Sequence, residues 1–111
     1  MNEHKVSTIS VKELKERRDK NATLCLIDVR EPNEWDQMHI PGATLIPKGS
    51  LAAVIASKVP NYDEPIYLHC KGGVRSFDAA NELINMGYKE VYSVEGGILE
   101  WAMAGYPIEK P

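Results

Sequence analysis

The chain is expected to fold as a single α/β domain, with a mostly parallel sheet and helices on both faces. Three observations predict this. Short apolar runs alternate with helix-like stretches from end to end. One run, Thr23–Val29 (TLCLIDV), is continuously apolar and ends in an acid, the pattern of a strand buried on both faces. The length, 111 residues, suits one hydrophobic core without disulfide or metal staples.

The elements follow in order. Val6–Ile9 reads as a first strand. Ser10 and Glu13 form a capping-box pattern that starts a helix, with the charged stretch Lys12–Lys20 as its solvated face. After Thr23–Val29, Pro32 stands at a first helical position, so a short helix is expected within Arg30–Met38. His39–Ala43 (HIPGA) is a turn, Thr44–Ile46 a short strand, and Ser50–Lys58 a helix with Leu51, Val54, Ile55 and Lys58 at helical spacing. Asn61–Pro65 is a loop, Ile66–His69 a strand, and Lys71–Val74 a tight loop. A helix then runs from Arg75 or Ser76 to Met86, with Phe77, Ala80, Leu83 and Ile84 as its inner face and Gly87 as its stop. Glu90–Val94 is the last strand. Gly96-Gly97 turns into a final helix, Ile98–Ala104, stopped by Gly105.

Composition narrows the function classes. Hydrophobic residues make up 43% and charged residues 26%, which excludes a disordered or low-complexity chain. The net charge of −3 argues against a nucleic-acid partner, because phosphate contacts need clustered Lys and Arg. No apolar run approaches a membrane span. Met1–Lys5 is polar with no apolar stretch behind it, so no signal peptide is expected. Two cysteines, Cys25 and Cys70, are too few for a disulfide framework, which favours a cytoplasmic protein with free thiols.

The chemistry concentrates in His69-Cys70-Lys71-Gly72-Gly73-Val74-Arg75-Ser76, between a strand and a helix. Two adjacent glycines let the backbone curl so that successive N–H groups turn inward. The following helix adds free N–H groups and a partial positive charge, and Lys71 and Arg75 add full charges. A thiol at the centre of such a loop loses its proton readily and becomes a nucleophile. Cys70 is therefore the candidate catalytic residue. Without the glycines and cations, a lone cysteine reads more simply as a small buried hydrophobe.

Four residues separate Cys70 from Arg75. Cysteine phosphatases place one residue more between the two, which widens the cradle for a phosphate. The tighter loop suits a single extra sulfur atom, a persulfide. Cys25, in an apolar strand, reads as structural rather than as a resolving thiol. His39 is expected to hydrogen-bond within its turn, and His69 to point to the opposite face of the sheet from Cys70. Asp28 and Arg30 read as a buried pair that fixes the neighbouring loop. Trp35 and Trp101 are expected at the rim of the site or in the core.

Three blocks together resemble the rhodanese family, specifically its single-domain sulfurtransferases. The first is Asp28-Val29-Arg30-Glu31-Pro32 with Glu34-Trp35 and His39-Ile40-Pro41-Gly42-Ala43. The second is Tyr67-Leu68-His69-Cys70 through Gly73, Arg75 and Ser76. The third is Gly96-Gly97 with Trp101, Gly105, Tyr106 and Pro107. Met38 departs from the family pattern, which has glycine before His-Ile-Pro-Gly.

The resemblance implies one rhodanese-like domain over residues 1–111, with its core at about 9–108, and a five-stranded mostly parallel sheet. It implies a thiosulfate sulfurtransferase type of enzyme. Cys70 takes sulfane sulfur from a small anionic donor such as thiosulfate, then passes it to cyanide or to a thiol acceptor, a small molecule or a protein. Arg75 and Lys71, with Gly72, Gly73, Val74 and Ser76 of the loop, would bind substrate, and Asp28 and Arg30 would support them. No metal or organic cofactor is implied, and a monomer or homodimer is expected. The alternatives are a cysteine phosphatase or arsenate reductase on a similar scaffold, and a non-catalytic binding module.

Overall fold

A computed structural model describes residues 5–111. The tail from Met1 to His4, on which the signal-peptide expectation rests, lies outside them. Five strands form one parallel sheet: β1 (Ser7–Ile9), β2 (Cys25–Asp28), β3 (Thr44–Leu45), β4 (Ile66–His69) and β5 (Val91–Val94). They stand side by side in the order β1-β5-β4-β2-β3, every pair parallel. Five helices connect or follow them: α1 (Val11–Lys20), α2 (Pro32–Gln37), α3 (Lys48–Lys58), α4 (Val74–Asn85) and α5 (Gly97–Met103).

The central strands are apolar on both faces because both faces are covered. Ile66 and Leu68 of β4 pack with Leu51 and Ile55 of α3 and with Ala79 and Leu83 of α4. Tyr67, between them, faces the other way and joins Val11 and Leu14 of α1 and Ile98 and Trp101 of α5. The result is two cores divided by the sheet. Each fully buried Leu or Ile contributes about 1.5–3 kcal/mol.

Element types match expectation throughout, and ends shift by a residue or two. The α3 helix starts at Lys48 rather than Ser50, and α4 starts at Val74. Phe77 is a correction: it is not on the inner face of α4 but 42% exposed, while Ser76, Ala79, Ala80, Leu83 and Ile84 are buried. With the helix starting at Val74, Ser76 turns inward toward Cys70 and the next residue swings outward. The solvated face of α1 also needs amending. Arg17 donates to the Tyr67 hydroxyl at 2.9 Å and lies over the Tyr92 ring. Arg18 donates to the Pro41 carbonyl at 2.6 Å, which ties α1 to the turn at 39–43.

Met38 does not disturb that turn. Its φ of −166° is extended backbone open to any residue, so glycine is not required there. Of the expected capping box, the Ser10 half forms, its side chain accepting from the Glu13 N–H at 3.1 Å, while the Glu13 carboxylate accepts from Arg17. Among the described residues no helix is long and apolar enough to cross a membrane.

Candidate active site

Cys70 follows β4 directly, at the carboxyl end of the sheet, where open α/β folds place their ligands. Strand alternation sends its side chain to the α4 face, with Leu68, and the residue is almost fully buried. The Gly73 N–H points at Sγ from 3.1 Å and the Ser76 N–H from 3.4 Å. The Ser76 hydroxyl lies 3.6 Å from the same sulfur. Burial, the largest single influence, pushes the thiol up. The Ser76 hydroxyl and the amides of Ser76, Gly73 and Gly72 oppose it, and together they bring Cys70 below its ordinary range. The pocket therefore shifts Cys70 toward the thiolate.

The two glycines divide the work unequally. Gly73 caps α4 with φ +112°, left-handed backbone that suits glycine, and it lies against Val94 and Gly96. Gly72 shows no such constraint, and a Cβ there would meet nothing within 4 Å. The turn that aims the amides therefore depends on one of the pair.

The loop is also held from outside. The Ile98 N–H donates to the Cys70 carbonyl at 2.9 Å, and the Leu99 N–H donates to the Lys71 carbonyl at 3.2 Å. These first-turn amides of α5 turn the loop carbonyls away from the sulfur and leave its N–H groups facing inward. Gly97 permits this approach: a Cβ on it would lie 2.4 Å from the Cys70 carbonyl oxygen and 2.5 Å from that of Lys71. Ser93 of β5 completes the support, 2.8 Å from the Ser76 hydroxyl.

Arg75 stands on the first turn of α4. Its two terminal nitrogens bind Glu34 of α2, at 2.7 and 3.0 Å. Beside Arg75 the Glu34 carboxyl is pushed down to about 2, and Arg75 is held more firmly charged by the same contact. Lys71 and Val74 are exposed, Val74 at 76%. A shallow cleft of about 440 Å³ opens beside the loop, lined by Gly72, Gly73, Val74, Phe77, Asp78 and Glu95 among others.

The remaining candidates sort themselves by position. Asp28 and Arg30 form the expected buried pair, with Nε and a terminal nitrogen on the carboxylate at 2.8–3.0 Å. Arg30 also donates to the carbonyls of Glu34, at 3.4 Å, and Met38, at 2.8 Å, and so fixes α2 beside the site. His69 is fully buried on the face opposite Cys70. Burial pulls it below its ordinary range, and its Nε2 lies 3.7 Å from the Asp28 carboxylate with no hydrogen-bond partner among the described residues. His39 contacts the Trp35 carbonyl at 3.1 Å and stacks on the Trp35 ring. Trp101 is core, its indole N–H on the Pro107 carbonyl at 2.7 Å.

Cys25 lies at the other end of the sheet, paired with Ile66, four residues before Cys70. At roughly 3.3 Å per residue the two cysteines are about 13 Å apart, beyond any disulfide. Burial pushes the Cys25 thiol up to about 11, which keeps it protonated and inert. Among the described residues no group of three His, Cys, Asp or Glu could hold a metal ion.

Sequence reasoning missed Glu34 as a partner of Arg75 and Ser93 as a support of Ser76. Neither contact leaves a local signal, since the partners lie 41 and 17 residues apart. In the sequence Glu34 stands out only within the first resemblance block; in the structure it also accepts from the Glu31 N–H at 2.9 Å.

Comparison with known proteins agrees with this fold. The rhodanese-like domain family matches residues 10–104. A probable adenylyltransferase/sulfurtransferase, MoeZ of Mycobacterium tuberculosis, is 41% identical over 104 residues, covering 93% of this chain and 26% of that protein. The chain thus spans about a quarter of that relative's length. A sulfurtransferase of Allochromatium vinosum is 34% identical over 106 residues, covering 96% of this chain and 97% of that one. Among solved structures, the rhodanese-like domain of the Anabaena protein Alr3790 superposes with a TM-score of 0.84 at 27% identity, covering 94% of this chain and 79% of that one. The family match over most of the chain and the shared fold show that the chain belongs to the rhodanese-like sulfurtransferase family.

Proposed function

We propose that the chain moves sulfane sulfur through a persulfide on Cys70. The observation that carries the proposal is the convergence of the Gly73 and Ser76 amide donors on one buried sulfur, with the Ser76 hydroxyl beside it. Such preorganised donors stabilise the negative charge of the Cys70 thiolate, the form that starts and ends the cycle.

With thiosulfate as donor, the Cys70 thiolate attacks the outer sulfur. The S–S bond to the sulfonate breaks and its electron pair leaves with sulfite. The charge passes to the terminal sulfur of the new persulfide. A thiolate acceptor then attacks that terminal sulfur, takes it away as its own persulfide, and restores the Cys70 thiolate. In this reading Lys71, and Arg75 beside its Glu34 partner, would meet an anionic donor, with Gly72 and Val74 bordering its approach. Asp28 and Arg30 hold the neighbouring segment in position.

The test is direct. Purified protein exposed to thiosulfate, or to an alkyl persulfide, should gain one sulfur atom on Cys70 by mass spectrometry and lose it to added thiol or cyanide. Cys70→Ser should gain none while remaining folded. Absence of sulfur gain from both donors would overturn the proposal.

A further inference from the structure

The charge around the loop is less favourable to a dianion than Lys71 and Arg75 suggest. Both terminal nitrogens of Arg75 are taken by one carboxylate, Glu34, which contributes a full negative charge of its own. That carboxylate is fixed in place. It stands on the first turn of α2, its Oε1 also accepts the Glu31 N–H, and α2 is in turn anchored by Arg30. Its side chain is only 23% exposed. Two further carboxylates, Asp78 and Glu95, line the cleft that leads along the loop. Its other walls include apolar Val74 and Phe77. A site that concentrates a small dianion gains most from an arginine left unpaired.

We propose that Glu34 is a specificity-determining residue: by neutralising Arg75 it sets the Cys70 site against dianionic sulfur donors such as thiosulfate and in favour of alkyl persulfides, which carry less negative charge and an apolar carbon beside the sulfur. This rests on the persulfide reading of Cys70. The chemistry balances as before, with the donor's thiolate replacing sulfite as leaving group: the Cys70 thiolate attacks the terminal sulfur, the donor S–S bond breaks, and the persulfide charge moves to the enzyme.

Glu34→Gln tests this, because the amide oxygen can still accept from Glu31 and Arg75 while the charge is gone. At low ionic strength kcat/KM for thiosulfate should rise about tenfold, mainly through KM, as expected for removing one unit charge near a dianion in a high dielectric. High salt should shrink the gain. The value for an alkyl persulfide should change less than threefold. Equal gains for both donors, or no gain for thiosulfate, would overturn the inference.

A second measurement separates this failure from failure of the sulfurtransferase reading. Methanethiosulfonate reagents of similar size, one bearing a sulfonate and one a trimethylammonium, modify a thiolate whether or not it carries sulfur in the cell. The anionic-to-cationic ratio of rates at Cys70 should rise about tenfold in Glu34→Gln, by the same arithmetic. Glu34→Ala, which removes both charge and hydrogen bonds, should shift the ratio the same way. An unchanged ratio in both variants would refute the role of Glu34 even if sulfur transfer proceeds.

Discussion

Ser76 touches the cysteine twice, through its amide and its hydroxyl, and its hydroxyl is itself held between the Gly73 carbonyl and Ser93. Ser76→Ala keeps the amide and loses the hydroxyl. The pH profile of Cys70 alkylation by iodoacetamide should then move to higher pH, because a group that favours the thiolate has been removed. Glycines offer a sharper contrast. Gly97→Ala would drive a Cβ into two backbone carbonyls of the active loop, at a φ of +54°. It should cost about 1–3 kcal/mol of strain and abolish sulfur loading of Cys70. Gly72→Ala should leave urea stability within about 0.5 kcal/mol of the native protein, as surface substitutions usually do. Paired urea titrations check both. The sequence showed two adjacent glycines in each of two places, but only a three-dimensional neighbour distinguishes the indispensable glycine from the tolerant one.

At the scale of elements, α2 is fastened to the site by two arginines. Arg30, itself held by Asp28, donates to the carbonyls of Glu34 and Met38, and Arg75 grips the Glu34 side chain from α4. Arg30→Ala would leave the Asp28 carboxylate buried without its partner, and should cost about 3–5 kcal/mol in a urea titration. The Glu34–Arg75 tether responds to pH. The folded protein holds the Glu34 carboxyl at about 2, below the ordinary value of 4.5. The tether therefore contributes fully above about pH 4.5 and fades as pH falls toward 2. The stability difference between native protein and Glu34→Gln, measured by urea titration at pH 7 and pH 3, should shrink at the lower pH. Element types were legible because strand runs, the Ser10 cap and Pro32 are local signals. Phe77 shares its helical side with Ala80 and Ile84, at spacings of three and seven, but it stands in the first turn of α4, where that side borders the cleft beside the loop instead of the core. The Cys70 loop was legible as a motif. The Glu34 pairing was not, because it joins helices whose contact depends on how the sheet is ordered.

For the whole molecule, the sheet order places the first strand beside the last. Register pairs Ile9 with Val94, and the Glu95 N–H donates to the Ile9 carbonyl at 2.8 Å. Removing residues through Ile9 should bare the β5 edge, lower the melting temperature and promote association, since an unpaired strand edge recruits other chains. In the core, Leu83→Ala should cost about 2–5 kcal/mol by calorimetry or urea titration, Leu83 being fully buried under the sheet. The clasp of α5 on the Cys70 and Lys71 carbonyls has a consequence for anyone who would move this site elsewhere. The octapeptide 69–76 is not a portable cassette: grafted onto another strand–helix junction, its carbonyls would have no keeper and its amides no reason to converge. The smallest transferable unit includes β5 and the start of α5. The same feature makes the chain a candidate for splitting. Cut in the turn between α4 and β5, it yields a fragment that owns the sulfur and a fragment that shapes its cradle, and reactivity would return only on reassembly.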